Sequence, residues 1–157
     1  MNSGDLPSRR LADLGLTLPP VAAPLAAYVP AVRVGNTVWT SGQLPLRDGR
    51  LVASGLVGRA LDAQDAAACA RTCALNALAA AASAAGDLDS IAGIVKVVGY
   101  VASAPGFTAQ PQVLNGASEV FGAVFGAAGR HVRSAVGVAS LPLDAPVEVE
   151  LVAILHG

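Results

Sequence analysis

Charge is scarce in this sequence, and lysine is nearly missing. Only 13% of the 157 residues are Asp, Glu, Lys or Arg, half the ~25% usual for soluble domains. Lys96 is the one lysine, and nine arginines are scattered from Arg9 to Arg133. With a net charge of −1 and a pI near 6.0, there is no basic stripe to hold nucleic acid. Aromatics are few, at 4%, yet apolar residues make up 54% of the chain. That balance excludes intrinsic disorder. A chain of this length buries roughly two-thirds of its unfolded surface and needs no disulfide or metal staple. Polar surface this thin implies that another subunit covers part of the molecule.

Cysteine is limited to Cys69 and Cys73, four apart in a helical pattern. Helix geometry does not favour a disulfide between them. With only His131 and His156 elsewhere, no metal-ligand set forms. The pair reads as two small buried hydrophobes on one helix face. Unbroken apolar runs are missing too. Residues 14–32 are interrupted by Pro19, Pro20, Pro24 and Pro30, residues 72–86 are too short, and residues 97–118 are broken by Pro105, Gly106 and Pro111. The start, MNSGDLPSRR, has no apolar segment behind a basic one, so we expect no secretory signal and a cytoplasmic location.

Local patterns define the elements. Residues 8–14 read as a short helix capped by Ser8, with a Pro-rich connector running on to Pro30. Residues 31–40 split into two strands around the hairpin signal Gly35-Asn36. A second turn, Arg47-Asp48-Gly49-Arg50, leads to a short strand at Leu51-Val52. Asp62 caps an Ala-rich helix, Asp65 favours its dipole, and Gly86 stops it. Ile91 to Val101 reads as a buried strand. Pro111 opens a second long helix through about Phe125, with Val113, Leu114, Ala117, Val120, Phe121 and Val124 on one face and Gly126 and Gly129 ending it. Strands at 131–138 and 146–155 follow. The order predicts one α+β domain over residues 1–157, a mixed β-sheet with two helices packed on one face. Residues 1–27 form an extra N-terminal helix and Pro-rich extension.

Alternation in the last two strands carries the chemistry. Val132, Val136 and Val138 share a face, and Arg133 looks the other way with His131 and Ala135. Val147, Val149 and Leu151 face one side, and Glu148 and Glu150 the other. If the apolar faces lie under the helices, then Arg133, Glu148 and Glu150 line the helix-free face. Two readings stay open. One is a cross-strand ion pair worth under about 1 kcal/mol. The other is a small-anion site, where a guanidinium forks onto a substrate carboxylate and a glutamate activates water. There is no G-x-S-x-G elbow, H-E-x-x-H helix, Walker loop or G-x-G-x-x-G turn. Ser41 has no base partner evident in the sequence. A lone His131 on a strand serves packing more often than acid–base chemistry, and His156 is a tail residue.

Several separated segments, in order, resemble the Rid/YjgF family, the reactive intermediate deaminases also labelled endoribonuclease L-PSP. These are Val38-Trp39-Thr40-Ser41-Gly42-Gln43-Leu44-Pro45, Arg133-Ser134-Ala135-Val136, Leu141-Pro142 and Val147-Glu148-Val149-Glu150. The resemblance spans roughly Tyr28 to Ile154. The N-terminal extension and the Gly126-to-His131 segment look like a longer sub-branch. The resemblance implies a chorismate-mutase-like fold and a homotrimer with clefts between subunits. It also implies hydrolysis of 2-imino and enamine acids of the 2-aminoacrylate type to 2-keto acids and ammonia, with no metal or organic cofactor. On that resemblance Arg133 holds the substrate carboxylate and Glu148 positions the attacking water, with Glu150 structural. Tyr28, Ser41, Gly42, Asn115 and Ala135 bind substrate, Gly42 and Ala135 through their backbone. Ala135 stands where many members carry cysteine, and His131-Val132 replaces the usual Pro-Ala before the arginine. The alternatives are a non-catalytic trimer that binds 2-keto acids and, third, a ribonuclease or translation inhibitor, which the charge balance disfavours. Neither nucleic acid nor membrane is an expected partner.

Overall fold

The structure is a computed structural model and describes residues 6–157, so the first five residues of MNSGDLPSRR lie outside it. Helix α1 (Pro7–Asp13) opens with a proline in its first turn, where a missing N–H costs nothing. Ser8 is not its cap, contrary to expectation. Pro7 starts the helix one residue earlier, and Leu6 stands at the N-cap with no side-chain cap bond. Asp89 supplies the acceptors from across the fold, taking the Ser8 N–H at 2.8 Å and the Ser8 hydroxyl at 2.6 Å.

Strands β1 (Ala31–Val34) and β2 (Thr37–Thr40) form the expected hairpin, with Gly35 at φ 60°. A ribbon of β3 (Leu46–Arg47) and β4 (Arg50–Leu51) turns at Asp48-Gly49, both at positive φ. Helix α2 (Ala63–Ala85) starts where Asp62 accepts from the Asp65 N–H at 2.8 Å and stops at Gly86. Then come β5 (Ile91–Ala102), α3 (Gln110–Phe125), a 3-10 turn at Gly126–Gly129, β6 (Val132–Val138) and β7 (Val147–Leu155). All lie close to the expected spans.

The main sheet has the order β1-β2-β7-β5-β6. Only β5 and β6 run parallel, and α3 makes the crossover that a parallel pair requires. Both long helices cover one face, burying Leu78, Phe121 and Val124 against Val38, Val97 and Val149. The Ala-rich α2 lets α3 approach so closely that a Cβ on Gly116 would collide with the Ala67 carbonyl. Cys69 and Cys73 are buried and form no disulfide, and burial pushes both thiols up. No helix among the described residues is long and apolar enough to cross a membrane.

The opposite face carries no helix. Val32, Val34, Trp39, Val132, Val136 and Ile154 stand there, each between 37% and 66% exposed. Such an apolar sheet face is the kind that folded chains cover with another subunit.

Candidate functional site

Arg133 lies on β6, the edge strand, opposite Val97 of β5. Val97 is fully buried beneath the helices, and Arg133 shares its side of the sheet. Its Nη1 donates to Asn115 Oδ1 and to Ser118 Oγ, each at 3.0 Å, and its Nη2 to the Pro111 carbonyl at 3.2 Å. Positions 111, 115 and 118 fall on one stripe of α3 at helical spacing. Three of the five guanidinium N–H groups are thereby committed. The Nε–H and one Nη2–H have no partner among the described residues. A guanidinium held on one flank and open on the rest is preorganised for a carboxylate.

This corrects the expectation that Arg133 joins Glu148 and Glu150 on the helix-free face. The alternation along β6 holds, but its sense is reversed. At the sheet edge α3 offers a polar stripe that solvates the guanidinium, so Val132 and Val136 face the side without helices. Arg133 also makes no ion pair with either glutamate. Ala135 follows it on the same side, partly buried against the core.

Glu148 and Glu150 do occupy the helix-free face of β7, beside Tyr100 of β5. Glu148 is partly buried. Burial first, and then the charge of Glu150, hold its carboxyl above the usual carboxylate range. Tyr100 is pushed up by burial and by the same two carboxylates. The Glu148 carboxylate lies against Gly42, where any Cβ would collide with it. Ser41 ties this segment to the connector, donating its hydroxyl to the Val29 carbonyl at 2.6 Å and its N–H to the Pro30 carbonyl at 2.8 Å. Tyr28, whose hydroxyl accepts from the Leu25 N–H at 3.3 Å, lines a small depression with Pro30, Gly42 and Gln43.

The predicted site residues therefore form two groups. Tyr28, Ser41 and Gly42 gather where the connector meets the end of β2, and the Glu148 carboxylate reaches Gly42 from the helix-free face. Arg133, Asn115 and Ala135 gather at the edge under α3. Arg133 sits two strands away from Glu148, three positions along and on the opposite face, so one chain does not bring them together. Arg133 opens instead on a cavity of about 320 Å³ lined by Ser118, Gly122, Gly129, Arg130 and His131. His131 Nδ1 is 2.6 Å from the Gly129 carbonyl and its Nε2 is 2.9 Å from Ser118 Oγ. Phe121 meets the imidazole edge-on at 5.6 Å.

A family model described as "YjgF/chorismate_mutase-like, putative endoribonuclease" matches residues 8–155. The chain belongs to the YjgF/chorismate mutase-like family. It is 45% identical over 141 residues to Protein TCP17 of Trypanosoma cruzi, covering 89% of this chain and 88% of that one. It is also similar to the crystal structure of Atu1372, a protein of unknown function from Agrobacterium tumefaciens. There the identity is 44% and the TM-score 0.88, over 98% of this chain and 94% of that one. E. coli TdcF with bound serine matches at 29% identity and TM-score 0.59, over 88% and 94% of the two chains.

The YjgF-family motifs directed attention to the arginine and the glutamate, and left out what holds the arginine. Ser118 and the Pro111 carbonyl were missed. Their signal was available: Pro111, Asn115 and Ser118 recur at helical spacing on the polar flank of an otherwise apolar helix. Gln43 carries no signal of its own in the sequence beyond its place in the Ser41-Gly42-Gln43 motif. Its backbone exchanges two hydrogen bonds with Val149, at 2.8 and 3.0 Å, and so fixes Gly42 beside Glu148.

Proposed function

We propose that this YjgF-family protein is a hydrolytic deaminase of 2-imino and enamine acids of the 2-aminoacrylate type, acting in the cytoplasm as a homotrimer. The observation that carries the reading is the Arg133 fork, anchored by three α3 acceptors with two N–H groups left open. Bound serine in TdcF supports a small carboxylate-bearing ligand for this fold.

In the reaction, Arg133 clamps the carboxylate of the imine tautomer by paired charge-assisted hydrogen bonds. Glu148 accepts a proton from water as the water oxygen attacks C2. Backbone N–H groups near Gly42 and Ala135 stabilise the developing charge, and Tyr28 and Ser41 close the pocket wall. Glu148 passes the proton taken from water to the nitrogen, which gives the carbinolamine. It then moves the C2 hydroxyl proton to the amine as the C–N bond breaks, so the nitrogen leaves as ammonia and the oxygen stays on C2 as the new carbonyl. Imine plus water thus becomes 2-keto acid plus ammonia, with no redox step and no metal or organic cofactor.

Because Arg133 and Glu148 are apart within one chain, the reading places each cleft between subunits. Arg133 of one copy faces Tyr28, Gly42 and Glu148 of the next. The exposed valines and Trp39 of the helix-free face supply the apolar surface for such an assembly.

The test is ammonia and pyruvate release from 2-aminoacrylate generated in situ, with Arg133→Ala as control. Acceleration over the spontaneous rate, lost in the variant, is the expected result. Pyruvate binding without turnover, lost in the same variant, would instead select a non-catalytic 2-keto acid binder. That second reading has one observation in its favour: the fork is complete within a single chain, whereas the water-activating carboxylate is not beside it. A ribonuclease reading fares worse, since a net charge of −1 and a single lysine give RNA little to bind.

A further inference from the structure

We propose that Ser118 and His131 are positioning residues for Arg133, a hydrogen-bonded relay that fixes the direction of its fork. This rests on the reading of Arg133 as the carboxylate clamp.

With His131 neutral, the partners determine who donates. A carbonyl can only accept, so the contact from Nδ1 to the Gly129 oxygen at 2.6 Å places the ring hydrogen on Nδ1. In the neutral imidazole Nε2 is then an acceptor. Ser118 has one hydroxyl hydrogen, and at 2.9 Å it goes to Nε2. The oxygen lone pairs of Ser118 are left for Arg133 Nη1 at 3.0 Å. The Ser118 hydroxyl is thereby turned as a pure acceptor toward the guanidinium.

Each link is held from outside. A Cβ on Gly129 would collide with the Phe121 carbonyl, so the 3-10 turn is pressed onto α3 and its carbonyl is fixed in place. Phe121 packs edge-on against the imidazole at an interplanar angle of 85°. Without the Nε2 acceptor, a helical serine hydroxyl tends to turn toward a carbonyl of its own helix. The lone pairs would then swing away from Nη1. The side chains that line this cavity include no carboxylate, so no acidic group there can substitute for Ser118.

The experiment uses the full-length protein and two readouts on Ser118→Ala, His131→Leu, the double variant and His131→Gln. The first is steady-state deamination together with pyruvate affinity. Loss of one charge-assisted hydrogen bond behind the clamp should raise KM and the pyruvate Kd roughly tenfold in each single variant, with kcat changed far less. Because His131 acts through Ser118, the double variant should be no worse than either single one. His131→Gln, whose side-chain oxygen can take the serine proton, should recover most of the loss. The second readout needs no substrate: guanidinium N–H exchange of Arg133 by NMR, faster in Ser118→Ala and His131→Leu and near wild type in His131→Gln. Unchanged exchange, additive losses in the double variant, or a glutamine no better than leucine would each overturn the relay. Accelerated exchange in a protein that neither deaminates nor binds pyruvate would uphold the relay and overturn the clamp reading instead.

Discussion

Two carboxylates on successive outward positions of one strand, Glu148 and Glu150, cannot behave alike. Glu148 is the one pushed up, by burial and then by its neighbour's charge. Water activation needs its ionised form, so the acid limb of kcat/KM should lie above the ordinary carboxylate range. Glu150→Gln removes the like charge and lowers the pKa of Glu148. The acid limb should then move to lower pH, and a pH–rate profile that stays put or moves upward would sink the assignment. The sign for stability is opposite to that of a salt-bridged acid. A raised folded-state pKa means that the folded protein holds the proton more tightly. This contribution to stability is therefore greatest at low pH and is lost as pH rises from the ordinary glutamate value through the raised folded value. At this scale the sequence shows which residues carry charge and which are candidates for chemistry. It does not show that the Glu148 carboxylate lies against Gly42, so that a Cβ there would displace it.

Helix α3 performs two tasks, one on each flank. Its apolar stripe packs on β5 and α2, and its polar stripe holds Arg133. Gly116 governs how closely it sits on α2. In an exposed helix, Gly→Ala stabilises by about 1 kcal/mol through propensity. Here the added Cβ meets the Ala67 backbone carbonyl, which cannot rotate away. Overpacking of roughly 1–3 kcal/mol should win, so Gly116→Ala is expected to lower the urea midpoint. The pyruvate affinity should fall with it, because the acceptors of Arg133 move as one body with the helix. A more stable variant would show that the two helices can part at no cost. Element boundaries were well legible, since Asp62, Gly86, Pro111 and the Gly35-Asn36 and Asp48-Gly49 turns act locally. Ser8 misled because the cap of α1 comes from Asp89, 81 residues away.

For the whole molecule the question is whether the site belongs to one chain or to two. Mixing Arg133→Ala chains with Glu148→Gln chains separates these possibilities. If each cleft takes Arg133 from one subunit and Glu148 from the next, random co-assembly regenerates about a quarter of the clefts intact in a closed ring. Activity should rise from near zero toward that fraction after denaturation and co-refolding. A site confined to one chain would recover nothing. Scarce charge and abundant apolar residues predict a covered surface, and Trp39, Val132 and Val136, exposed on the helix-free sheet face, are what such an assembly would cover.

The sequence by itself determined most of the elements, a mixed main sheet and the two long helices on one side, and it singled out Arg133 and Glu148 as candidate site residues. Caps, turn glycines and hydrophobic period are read over a few residues, and these are local in cause. Only the tertiary structure decided which side of the sheet Arg133 faces. Alternation fixes that neighbouring side chains oppose each other and is silent on which set meets the helix. That depends on α3 crossing the edge strand with Asn115 and Ser118 in reach of the guanidinium, and on the 3-10 turn bringing His131 behind them.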